Sequence, residues 1–123
     1  CRLLAEDINV GIGSDVAGGT TLSLPKAMAL AIQCSKIYWR YIDKKYGYLN
    51  LENAFFMATK GGGKFFGKVG SFEDGYEFDA LVLDDKSIAT YVDFTLKERL
   101  ERLIYLGTKH NIKNKFVNGV QLF

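Results

Sequence analysis

The sequence predicts an α/β fold, and three observations carry that expectation. Val10-Gly11-Ile12-Gly13-Ser14 reads as a short buried strand, β-branched at Val10 and Ile12, that stops at one acidic residue, Asp15. Ala17-Gly18-Gly19 then lets the backbone turn away without side-chain bulk, and an unbroken helical run starts at Pro25. Further along, residues 78–84 and 115–122 have the texture of strands bounded by turn residues. A carboxylate at the carboxyl end of a buried strand, ahead of a glycine loop and a helix, stands where α/β barrels place their chemistry. A tight strand-to-helix turn in which Asp15 caps the next helix fits the same spacing.

A chain of 123 residues, 48% of them hydrophobic, is long enough for one domain with a real core and too apolar for disorder. The net charge is only +2 and the charges are mixed, so there is no electrostatic case for nucleic acid. No apolar run reaches membrane-spanning length, since the one around Met28 and Ile32 is soon interrupted by Lys36 and Arg40. Neither nucleic acid nor membrane is an expected partner. The opening Cys1-Arg2-Leu3-Leu4 lacks the apolar core and small-residue cleavage site of a secretory signal. Cys1 and Cys34 offer neither a disulfide framework nor a paired metal-binding spacing, which points to a reducing, cytoplasmic home. Residue 1 is Cys rather than Met, and Leu3-Leu4-Ala5-Glu6-Asp7 reads as the last turn of a helix that Asn9 closes. The expectation is a piece of something larger, cut within a helix–strand unit.

Helix signals come directly after the glycine loop. Thr21 or Ser23 is placed to cap a helix with Pro25 in its first turn, and nothing breaks that helix before Gly47, so it is expected over residues 25–46. Ala27, Leu30, Ile37, Trp39, Tyr41 and Ile42 spread apolar surface around more than one face, between Lys26, Lys36, Arg40 and Lys44. Such girth suits a helix wedged between a barrel and its neighbours. Asn50 caps a second helix, in which Leu51, Ala54, Phe55 and Ala58 repeat at helical spacing, with Leu49 placed to staple against Ala54. After Thr59, Gly61-Gly62-Gly63-Lys64 lacks the preceding glycine and the following Ser or Thr of a phosphate loop, because Phe65 comes after the lysine. Those glycines suit close helix packing or a helix junction. Gly11-x-Gly13 likewise lacks the third glycine of a dinucleotide fingerprint, since Val16 stands in its place.

From Lys68 the texture changes. Residues 69–75 carry turn residues, and residues 78–84 read as a strand closing in an acidic turn. Thr95-Leu96-Lys97-Glu98 is a capping box opening a helix that runs through Ile104 and ends at Gly107. Asn118-Gly119 marks a two-residue hairpin turn within residues 115–122. These strands are too few for a stable sheet and are expected to need partners from outside the chain. No internal repeat or low-complexity tract is present.

Strand–Gly13-Ser14-Asp15–glycine loop, then Ala58-Thr59-Lys60-Gly61-Gly62, then Val69-Gly70-Ser71-Phe72-Glu73-Asp74-Gly75-Tyr76-Glu77-Phe78-Asp79-Ala80-Leu81-Val82, in that order, resemble the tail of the amidohydrolase superfamily. Within it, Gly13-Ser14-Asp15-Val16-Ala17-Gly18-Gly19 is most similar to the guanine deaminases. So are Glu77-Phe78-Asp79-Ala80 and the ending Ile104-Tyr105-Leu106-Gly107, Asn111-Ile112 and Val117-Asn118-Gly119. The resemblance covers nearly the whole chain. It implies the carboxy-terminal fragment of a metal-dependent (β/α)8 TIM barrel, with its last strand around residues 10–14 and terminal helices at 25–46 and 50–66. Residues 1–67 would belong to that barrel, and residues 68–123 to a small composite β-sandwich domain beside it.

The resemblance also implies hydrolytic deamination of guanine to xanthine and ammonia. One divalent metal, zinc or else iron, acidifies a water in such enzymes, and Asp15 corresponds to the last-strand Asp that binds the metal and takes the water's proton. The complete protein would be a homodimer. The superfamily's remaining parts are a His-x-His pair, two further histidines and a Glu acid/base, and none has a counterpart here. His110 is the only histidine and is expected at the surface. Gly18 and Gly19 are assigned backbone clearance and no substrate contact. The isolated chain is therefore expected to be inert and to bind zinc poorly. Alternatives are another amidohydrolase acting on a ring C–N bond (a cytosine, adenosine-like or triazine deaminase, or a chlorohydrolase), a non-catalytic module in which Asp15 is only a loop cap, and a small α/β protein complete in itself.

Overall fold

A computed structural model of the chain describes residues 1–15, 17–88 and 91–123. Its elements run α1 (Arg2–Ala5), α2 (Leu24–Tyr41), α3 (Leu51–Ala58), α4 (Lys60–Gly63), β1 (Ala80–Leu83), α5 (Leu96–Leu106), β2 (Ile112–Val117) and β3 (Val120–Gln121). The α/β class expected from the sequence is what the chain adopts. Among the described residues, no helix is long and apolar enough to cross a membrane.

The core lies where α2 meets α3 and α5. Met28, Ala29 and Ile32 of α2 are buried against Leu49, Leu51, Ala54, Met57 and Ile104. Only this stripe of α2 is covered; Leu30, Ile37, Tyr38 and Tyr41 stand exposed, so the broad apolar girth read from the sequence is real and mostly open. The hydroxyl of Ser35 ties α2 to the segment that leads into α3, donating to the Ile32 carbonyl at 2.7 Å and accepting from Leu49 N–H at 2.9 Å.

Several boundaries differ from expectation, each for a local reason. α1 ends at Ala5 with Glu6 as its cap, and Asn9 reaches elsewhere instead of closing it. Residues 10–14 are not assigned as a strand. A strand needs a ladder partner, and among the described residues the one backbone bond of this stretch is Ile12 N–H to the Met57 carbonyl, at 3.0 Å. α2 stops at Tyr41 rather than Tyr46: Ile42 N–H still bonds the Tyr38 carbonyl four residues back, at 2.8 Å, but Asp43 N–H takes that same carbonyl at 3.1 Å instead of continuing the ladder. The Asp43 carboxylate then captures Lys45 N–H at 2.8 Å, a side-chain turn that competes with another helical turn. At its start Ser23 holds the cap position without a side-chain cap bond, while Thr21 Oγ1 accepts from Ser23 N–H at 3.0 Å.

Asn50 caps α3 as expected, accepting from Asn53 N–H at 2.8 Å. The helix foreseen through residue 66 instead breaks at Thr59, whose φ of −124° and ψ of −103° separate α3 from the short α4. The triple glycine thus marks a helix junction, with Gly61 and Gly63 buried in packing rather than open to a phosphate.

The expected lack of strand partners is also corrected. β1 pairs antiparallel with β2, Ala80 opposite Phe116 and Leu81 opposite Lys115, and β2 turns back onto β3. Asn118 and Gly119 have φ of 47° and 75°, the left-handed pair a two-residue hairpin turn requires. The long connection through α5 brings β2 back beside β1, which the spacing alone did not reveal. Buried Asn111 fastens this return, donating from Nδ2 to the Asp84 carbonyl at 2.7 Å and Ser87 Oγ at 2.9 Å.

The Thr95 capping box is formed, with Thr95 N–H donating to Glu98 Oε2 at 2.8 Å and Glu98 N–H to Thr95 Oγ1 at 3.3 Å. α5 runs two residues past Ile104 to Leu106. Arg99 grips Asp85 through two bonds of 2.6 and 2.9 Å and holds its carboxyl below the usual range, by hydrogen bonding first. The folded value being the lower one, this contribution is present above the unfolded pKa and is lost as pH falls through the folded one. Replacing Thr95 by Ala removes the Oγ1 acceptor of Glu98 N–H and leaves the backbone N–H that donates to Glu98 in place. Urea unfolding is expected to show a loss of about 1 kcal/mol, and an unchanged midpoint would mean the box contributes nothing.

Candidate functional site

Asp15 sits at the end of the extended stretch, on a sharply turned loop. Val10 and Ile12 are packed against the edge of the core, which anchors the stretch from below. Asp15 itself has a φ of 47°, and its carbonyl accepts from the N–H groups of Gly18, at 3.0 Å, and Gly19. The turn is so tight that a Cβ at Gly19 would stand 1.8 Å from the Ser14 carbonyl oxygen, and one at Gly18 would stand 2.7 Å from Asp15 Oδ2. At Gly19 the backbone itself leaves no room for a Cβ, whereas at Gly18 a Cβ would meet the Asp15 side chain. Val16, between them and Asp15, lies outside the described residues.

The loop forms one wall of an open cavity of about 470 Å³, lined by Gly13, Ser14, Asp15, Thr20 and, from α2, Leu30 and Ala31. Asp15 is exposed at this mouth. It does not cap the next helix: α2 begins at Leu24, nine residues on, with Ser23 in the cap position and no side chain bonded there. The loop-cap alternative loses its structural basis.

A metal centre needs more than this chain supplies. Zinc takes three or four protein ligands, and among the described residues no cluster of three His, Cys, Asp or Glu could hold an ion. His110 is exposed on the turn before β2, as expected, and Cys1 and Cys34 are exposed. Among the described residues Asp15 belongs to no cluster that could hold an ion by itself. Calorimetric titration of the 123-residue chain with zinc is expected to show no stoichiometric tight binding. Tight one-to-one uptake would mean that a site assembles within the chain.

Sequence reasoning missed what lies beneath Asp15. Asn9 Nδ2 donates to the Gly61 carbonyl at 2.9 Å across 52 residues of sequence, and Gly11 meets Gly62 backbone to backbone. Nothing in local spacing signals a contact of such range.

Residues 2–122 match the model of the Amidohydrolase family. The chain belongs to the amidohydrolase family. This amidohydrolase chain is 31% identical over 133 residues to the guanine deaminase of Homo sapiens, covering 98% of the chain and 29% of that protein. It is 30% identical over 125 residues to the guanine deaminase of Dictyostelium discoideum, covering 96% of the chain and 28% of that protein. Among solved structures it resembles guanine deaminase from C. acetobutylicum, which has guanine bound in its active site. The TM-score is 0.92 and the identity 53%, over 99% of this chain and 29% of that one. The E. coli guanine deaminase, at 24% identity and a TM-score of 0.80, shares the fold. The amidohydrolase chain thus spans under a third of the length of these relatives.

Proposed function

We propose that this amidohydrolase chain is the carboxy-terminal part of a metal-dependent guanine deaminase, converting guanine and water to xanthine and ammonia. The observation that carries the reading is Asp15, held by its glycine loop at the mouth of an open cavity in a chain 53% identical to a guanine deaminase with guanine in its active site. A divalent metal, zinc in the first instance, supplies acidification of water to about neutral pH when bound. Asp15 contributes one carboxylate ligand and accepts, at a carboxylate oxygen, the proton released as water adds to the amino-bearing carbon of guanine. Gly18 leaves the space beside that carboxylate free, and Gly19 permits the tight turn behind it.

In the same reading, residues 10–14 become the last barrel strand once a neighbouring strand supplies their ladder, and α2, α3 and α4 are the terminal helices. Residues 1–67 then belong to the barrel and 68–123 to the flanking β-domain. The exposed apolar side of α2 has more surface than the core seen here uses, which suits barrel walls and a homodimer contact. A cytoplasmic location is part of the proposal, consistent with two free thiols.

The test is ultraviolet-monitored conversion of guanine to xanthine by the full-length protein. Turnover of guanine supports the reading. Turnover of a cytosine, adenosine or triazine in its place would keep the family chemistry and replace the substrate.

A further inference from the structure

We propose that the corner between α3 and α4 is a positioning device for Asp15, and that Asn9, Gly11 and Gly62 are its positioning residues. This rests on Asp15 being the metal-binding carboxylate of the full-length enzyme. The break at Thr59 and the end of α4 at Gly63 each take one carbonyl out of helical service. In an uninterrupted helix the Met57 carbonyl would accept from residue 61; here it accepts from Ile12 N–H at 3.0 Å. α4 ends at Gly63, so the Gly61 carbonyl has no helical donor four residues on, and it accepts from Asn9 Nδ2 at 2.9 Å. The stretch that leads into Asp15 is therefore pinned at two points, residues 9 and 12, to one helix corner.

Those two bonds require the backbones to approach closely, and the residues at the crossing permit it. A Cβ on Gly11 would stand 3.0 Å from the Gly62 Cα and 3.7 Å from the Met57 carbonyl oxygen. A Cβ on Gly62 would stand 2.9 Å from that same oxygen. A methyl on Gly11 would press the stretch away from the corner, and one on Gly62 would press on the Met57 carbonyl that holds Ile12. Asp15 lies only a few residues beyond the Ile12 anchor, and the loop after it is closed by Gly18 N–H on the Asp15 carbonyl. A displacement at residue 11 or 12 has little chain in which to dissipate before it reaches the carboxylate. The device thus explains the Thr59-Lys60-Gly61-Gly62 run as a receptor for the Asp15 stretch, rather than as packing alone.

The experiment uses the full-length protein, with Asn9→Ala, Asn9→Asp, Gly11→Ala and Asp15→Asn. Asn9→Asp keeps the shape and removes the donor at neutral pH, which separates the bond from the volume. Zinc affinity is read by chelator competition, kcat and KM on guanine, and Tm by calorimetry. The Asn9 and Gly11 variants are expected to weaken zinc affinity and kcat by about ten- to hundredfold, the scale of changes one step behind a metal ligand, with KM moved less than about twofold. If Tm falls but zinc affinity and kcat per bound zinc stay at the parent level, the corner is only structural and the inference is overturned, while loss in Asp15→Asn leaves the functional reading intact. Should Gly11→Ala fail to fold, the two Asn9 variants decide alone. Parent-level zinc affinity and turnover in Asp15→Asn would overturn the reading itself, and the inference with it.

Discussion

Asp15→Asn in the full-length protein is expected to lower kcat on guanine by about 10²–10⁴-fold, the range for removing a positioned proton acceptor. Asn keeps the size and planarity of the side chain, but at neutral pH it has no carboxylate oxygen with which to accept a proton. It is also the weaker ligand for a divalent ion. The fold has no reason to respond. Asp15 is exposed, it caps no helix, and the loop is closed through its backbone carbonyl, which the substitution leaves in place. Calorimetry should find the melting temperature of the zinc-free variant and parent within about 1 °C, since surface changes of this kind stay near 0.5 kcal/mol. Full turnover in the variant would remove Asp15 from the chemistry.

Ile104→Ala is expected to carry the largest loss of stability, about 2–5 kcal/mol by urea unfolding. Ile104 is 2% exposed and is the one side chain of α5 buried in the core shared with α2 and α3. Truncation removes buried carbon from a place where three helices meet, and backbone pinned by the Thr95 cap and Asn111 has little freedom to close the gap. Ile104→Val removes a single methylene and should cost about 0.5–1.5 kcal/mol. Equal losses for the two would show that the cavity is not what matters.

Local chemistry along the chain accounts for the elements that could be read before any fold was known. The Asn50 cap, the Thr95 box and the Asn118-Gly119 turn were legible because each is a short pattern whose hydrogen bonds close within a few residues. Asp15 and its two glycines were legible for a similar reason, since a carboxylate before a tight glycine turn is a compact local pattern, and the order of motifs along the chain pointed to the family. Everything else required the folded chain. The break at Thr59, the early end of α2 and the pairing of β1 with β2 depend on partners distant in sequence or on competing side-chain bonds that periodicity does not register. The same holds for the Asn9 contact with the α3–α4 corner, made across 52 residues, and for the Gly11 contact beside it. Residues 10–14 show the division most clearly: their composition favours a strand, but a strand exists only when a second one satisfies its backbone, and that partner is a property of the assembled fold.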